Sequence, residues 1–167
     1  MDAEAQRLFA RIPDRAQFNS PSHVHVLSMI VWVFGGTAVG KKRFIDRAVE
    51  TPARFGLPIG IRGVWLADGE SETGQLLQQA AHGPILVRWQ WGRESRLTEI
   101  AECGKVEQQI YLVKTDLYLQ AGRVIAREGE LKWPELTLMR EAEDVDRAVQ
   151  ALSMKHGIAV RFVDGNE

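Results

Sequence analysis

Apolar positions along the chain follow two alternating periods. The stretch from Val24 to Phe34 becomes continuously apolar and β-branched in its second half (Met29-Ile30-Val31-Trp32-Val33-Phe34) and stops at Gly35-Gly36. A run of that kind suits a strand buried on both faces, as in parallel sheets covered by helices. From Lys41 to about Val49 the period changes: Phe44, Ile45, Ala48 and Val49 share one helical face, and Pro52 ends the run. A loop over residues 51–58 leads to a second strand, Ile59 to Ala67, weakened by its glycines. Glu70 to Ala81 reads as a helix with Leu76, Leu77, Ala80 and Ala81 inward, broken by Gly83-Pro84. Ile85 to Trp91 is a third strand, Glu94 to Glu102 a short helix, and Gln109 to Val113 a fourth strand. Residues 117–127 fit either a helix or a hairpin turning at Ala121-Gly122. Glu141 to His156 is a helix, with Val145, Ala148, Val149 and Leu152 at helical spacing and Gly157 just past its end. Ile158 to Val163 is the last strand.

Strands alternating with helices predict an α/β fold in three layers, with a mostly parallel sheet of about five strands. The length of 167 residues fits one domain. Residues 1–22 are expected to form a short amphipathic helix and a loop, 23–163 the core, and 164–167 a tail. Charge changes the picture by what it excludes. Lys and Arg number 21 against 22 Asp and Glu, a net charge of −1. A general nucleic-acid coat is therefore not expected. The lone Cys103 excludes an internal disulfide and a cysteine zinc site. No apolar stretch is long enough to cross a bilayer. The start, Met1-Asp2-Ala3-Glu4, lacks the basic run of a signal peptide, so a cytoplasmic location and no membrane partner are expected.

The candidate chemistry lies between the first strand and the first helix. Gly35-Gly36-Thr37-Ala38-Val39-Gly40-Lys41-Lys42 has the spacing Gly-x4-Gly-Lys. Glycines let backbone N–H groups turn around a phosphate, and the helix that follows points its positive end at the same anion. This segment resembles the Walker A loop of the P-loop nucleoside-triphosphatases and kinases. The resemblance covers residues 24–50 and implies a P-loop NTPase-like fold that binds ATP or GTP. Residues 35–42 would hold the phosphates, and Lys41 would reach the terminal ones. One position departs from the pattern. The family carries Ser or Thr after the lysine, whose hydroxyl ligates Mg²⁺, and this chain has Lys42. An ammonium group cannot ligate a cation, so Mg²⁺ would need other groups, or the loop has lost catalysis.

Such a loop calls for an acid at the end of a buried strand. Asp68 closes the second strand and is the first candidate, as metal ligand or base. Asp116, after Val113-Lys114-Thr115, is the second, and Glu94 a lesser one. Val113-Lys114-Thr115-Asp116 also resembles the guanine-recognition motif of GTPases, in which the acid binds the base. Trp89-Gln90-Trp91-Gly92-Arg93-Glu94 loosely resembles their switch segment, with its acid replaced by Trp89 and its glutamine by Arg93. Hydrolysis by that route would be poor. Arginines that neutralise a transferring phosphoryl group have candidates in Arg93 with Arg96, or Arg123 with Arg127. Trp65, Trp89 and Trp91 suit core packing better than base stacking. His23 with His25 lacks a third metal ligand, and Cys103 reads as a small core or boundary residue. Two functional classes remain: a small phosphotransferase or NTP hydrolase, and a catalytically inactive binding or assembly module with a protein partner.

Overall fold

Met29–Phe34 forms strand β1, buried along its whole length. Its alternate side chains feed two cores on opposite faces of one sheet, as a strand's period of two requires. Ile30, Trp32 and Phe34 join one core, and Met29, Val31 and Val33 the other. The computed structural model describes residues 28–64, 72–89, 94–130 and 135–166.

After β1 come helix α1 (Lys41–Glu50), a 3₁₀ turn (Pro52–Phe55), β2 (Arg62–Val64), α2 (Glu72–Ala81) and β3 (Ile85–Arg88). They are followed by α3 (Glu94–Cys103), β4 (Glu107–Lys114), α4 (Leu117–Glu128), α5 (Glu135–His156) and β5 (Ala159–Asp164). The five strands form one sheet in the order β2-β3-β1-β4-β5. Every pairing is parallel, with Trp32 aligned to Val87 on one side and to Ile110 on the other. Phe44, Ile45 and Ala48 of α1 close one core. Side chains of α2, α3 and α5 close the other, including Leu76, Leu97, Ile100, Val145 and Val149. The chain is thus a three-layer α/β fold around a parallel sheet, its central strand leading directly into the glycine-rich loop.

Several boundaries differ from the sequence reading, each for a local reason. β2 begins at Arg62 rather than Ile59, because Gly60 takes a left-handed turn at φ +84 just before it, and the expected strand positions after Val64 lie outside the described residues. Gly63 passes close to Ile45, where a Cβ would stand 3.1 Å from its side chain. β3 ends at Arg88, and Trp89 turns under Phe34, stacking on its ring at 4.8 Å. Residues 117–127 are helical rather than a hairpin, because Asp116 caps the helix by accepting from the Tyr118 and Leu119 amides. α5 starts at Glu135, one and a half turns earlier than its apolar period indicated. Cys103 ends α3 exposed instead of in the core or at its boundary. The N-terminal helix, His23, His25, Trp65, Asp68, Trp91 and Arg93 lie outside the described residues. Among the described residues no helix is long and apolar enough to cross a membrane.

Candidate functional site

The sheet order dictates where a ligand fits. The connection from β1 crosses β3 to reach β2, whereas that from β3 crosses β1 to reach β4, so the chain reverses direction between β1 and β3. In open parallel sheets the crevice at such a switch point, beyond the strand C-termini, is the usual ligand site. Residues 35–40 occupy that place here.

The loop's shape depends on its glycines. A Cβ at Gly35 would stand 2.9 Å from the Val113 carbonyl oxygen. Gly40 has φ +100, and a Cβ there would stand 2.9 Å from the Gly165 carbonyl oxygen. Ala38 also takes a left-handed conformation, at φ 57. Gly40 is the N-cap of α1 and offers no side chain, so the cap amides stay open to an external acceptor.

Lys41 turns back over the loop. Its Nζ donates to the carbonyl oxygens of Gly35 at 2.6 Å and Gly36 at 2.8 Å. Burial is the main cause that lowers its pKa from 10.5 to about 8; the Arg88 guanidinium lowers it further, and Glu141 opposes both. An anion beside the ammonium would raise it again.

A carboxylate already sits on the loop. Glu141 Oε1, on α5, accepts from the Thr37 amide at 2.9 Å and from the Thr37 hydroxyl at 3.0 Å. Helix α4 braces the same loop from above. Gln120 Nε2 donates to the Thr37 carbonyl at 2.5 Å, and Arg123 Nη1 to the Ala38 carbonyl at 3.2 Å. Arg123 Nη2 reaches the Gly165 carbonyl and the Asn166 side chain at 3.2 and 2.9 Å. Thr115 donates its hydroxyl to the Val39 carbonyl at 2.7 Å. The Gly165 amide donates to the Lys114 carbonyl, so residues 165 and 166 are tied to the end of β4 and to Arg123.

A cavity of about 800 Å³ opens over this loop, lined by all of residues 35–42. Among the described residues seven basic side chains line it against three carboxylates, so their field favours an anion. Lys42, Arg43, Asp46, Arg47 and Glu50 bring one face of α1 to it. Arg123 and Arg127, four apart on α4, both reach it. Arg88, Trp89 and Glu141 also line it. Sequence reasoning gathered the loop and the Arg123/Arg127 pair. It missed Glu141, Gln120, Arg88 and Gly165. Asp116 caps α4 and does not line this cavity. Asp68, as noted, lies outside the described residues.

Among the described residues the donors at the loop do not fit a magnesium ion of the P-loop kind. Lys42 stands where the metal's hydroxyl ligand belongs. Thr115 Oγ1 faces the Arg123 guanidinium at 3.4 Å, and Thr37 is tied to Glu141. Among the described residues no group of three or more His, Cys, Asp or Glu side chains could hold a metal ion.

No protein-family model and no curated protein sequence matches the chain. Among solved structures it is similar to a gluconokinase from Sinorhizobium meliloti 1021, at 15% identity. The match covers 84% of this chain and 85% of that one, with a TM-score of 0.46.

Proposed function

We propose that the chain is a nucleoside-triphosphate-binding P-loop protein acting as a small phosphotransferase or NTP hydrolase. The carrying observation is the loop itself: six residues, 35–40, between a buried central strand and a helix start, with Lys41 Nζ folded over them. The nucleotide is ATP or GTP, and the loop amides of residues 35–42 hold its phosphates. Lys41 neutralises the terminal phosphates and moves from the Gly35 and Gly36 carbonyls to do so. Arg123 and Arg127 flank the same space and suit the charge that spreads over a transferring phosphoryl group. Asp68 is proposed as the acid that receives the acceptor's proton. Catalysis here is positioning and charge neutralisation.

A second reading is favoured by one specific observation, the engagement of the cradle by the chain's own Lys41 and Glu141. In that reading the loop binds nucleotide without turnover and serves a binding or assembly role with a protein partner. Calorimetry with ATP and with GTP, on the parent and on Lys41→Ala, tests the common part. Binding by the parent and its loss in the variant support the nucleotide site; no binding of either nucleotide by the parent refutes it. Product formation across hydroxyl acceptors then separates enzyme from module.

A further inference from the structure

We propose that this cavity takes its polyanion free of divalent metal, with Lys42 supplying the positive charge that Mg²⁺ provides in loops of the usual pattern. The inference rests on the reading of the loop as a phosphate site and adds to it the ionic form of the ligand.

Three observations lead there. Lys42 is the second residue of α1, exposed and lining the cavity beside Lys41. An ammonium has three donors and no acceptor, so it binds phosphate oxygens and repels a cation at the same place. Among the described residues the lining carries a formal excess of four positive charges, seven basic groups against three acidic ones. Binding Mg²⁺ would remove two charges from the ligand where the cavity offers cations to meet them. Among the described residues, the carboxylates that line the cavity are also badly placed to receive a metal. Asp46 and Glu50 lie one and two turns further along α1, interleaved with Arg43 and Arg47. Glu141, the carboxylate at the loop, is held by two Thr37 donors. That contact is independent evidence that the loop amide seeks an anionic oxygen.

The argument extends to shape. Arg43 and Arg47 on α1 face the same cavity as Arg123 and Arg127 on α4. An extended chain of phosphates, as in a nucleoside triphosphate, would meet cations along its length rather than at one end.

The experiment is calorimetric titration with ATP at fixed ionic strength, once in EDTA and once in excess Mg²⁺. It uses the parent, Lys42→Gln and Lys42→Thr, with circular dichroism to establish that each is folded. The parent is expected to bind metal-free ATP about tenfold more tightly than Mg-ATP. Lys42→Gln narrows that ratio, because charge is lost and no ligand is gained. Lys42→Thr inverts it, because a hydroxyl now faces the phosphates. Equal or tighter binding by the parent in Mg²⁺ overturns the inference and leaves the nucleotide reading standing. Loss of that tightening in Asp68→Asn would then identify the metal's ligand. Absence of ATP binding in both conditions overturns both.

Discussion

Glu141 offers the sharpest test of how the loop works, because its carboxylate occupies the amide that a phosphate would use. Glu141→Ala removes that competitor. The magnitude follows from two hydrogen bonds, 2.9 Å from the Thr37 amide and 3.0 Å from its hydroxyl. Hydrogen bonds to a charged group contribute about 1.5–3 kcal/mol each when well buried. Glu141 and Thr37 are half-buried, and water replaces the carboxylate when it leaves, so the pair together is worth about 1–2 kcal/mol. That free energy is spent whenever a ligand displaces Glu141. Its removal therefore raises affinity for inorganic tripolyphosphate about 5–30-fold at 1.4 kcal/mol per decade. Titration calorimetry at constant pH and salt reads the effect. Glu141→Gln, which keeps an acceptor but no charge, should fall between parent and alanine. A folded Glu141→Ala protein with unchanged or weaker affinity refutes the reasoning and makes Glu141 part of the ligand's site instead.

Three further outcomes are expected. The Lys41 pKa, lowered by burial from 10.5 to about 8, means the unfolded chain binds more protons than the folded one between those values. Folding is therefore opposed by this group below pH 8 and relieved as pH rises to 10.5. The parent should gain about 1–3 kcal/mol of stability over Lys41→Met across that window, measured by urea unfolding. Gly40→Ala forces a side chain into φ +100 and against the Gly165 carbonyl, costing about 1–3 kcal/mol and abolishing ligand binding, as melting with and without ATP would read. Gln108→Leu removes the acceptor of the buried Trp32 indole N–H, which donates to it at 2.7 Å. That orphaned donor should destabilise the fold by about 1–3 kcal/mol in chemical denaturation, with tripolyphosphate affinity unchanged.

The elements legible in the sequence are those whose signal is local. Met29 to Phe34 is apolar without interruption because both faces of β1 are covered, and that run marks the sheet's centre. Phe44, Ile45 and Ala48 reveal α1 by spacing alone. The glycines of the loop are legible because few other residues tolerate its backbone. The rest of the site carries no periodic signal. Glu141 meets Thr37 across 104 residues of sequence, and Gln120 meets it across 83. On its own helix Glu141 is one acid among several, and only the packing of α5 singles it out. Arg123 and Arg127 were visible as a pair four apart, but not that Arg123 would join the loop to Gly165 and Asn166. Asp116 illustrates the opposite case: its place after a strand suggested base recognition, yet the same position serves a helix cap.

The bracing of the loop by distant residues also has a meaning in time. The loop leaves the ribosome early, yet its supports at Thr115, Gln120, Arg123, Glu141 and Gly165 follow some 75 to 130 residues later. At translation speeds of about 5–20 residues per second, that interval is on the order of ten seconds. β1 waits as well, since its partners β3 and β4 are both synthesised after it. A nascent chain thus holds the motif long before it holds the cradle. Until β5 is laid against β4, the support from Gly165 is missing and a ligand meets an incomplete cradle.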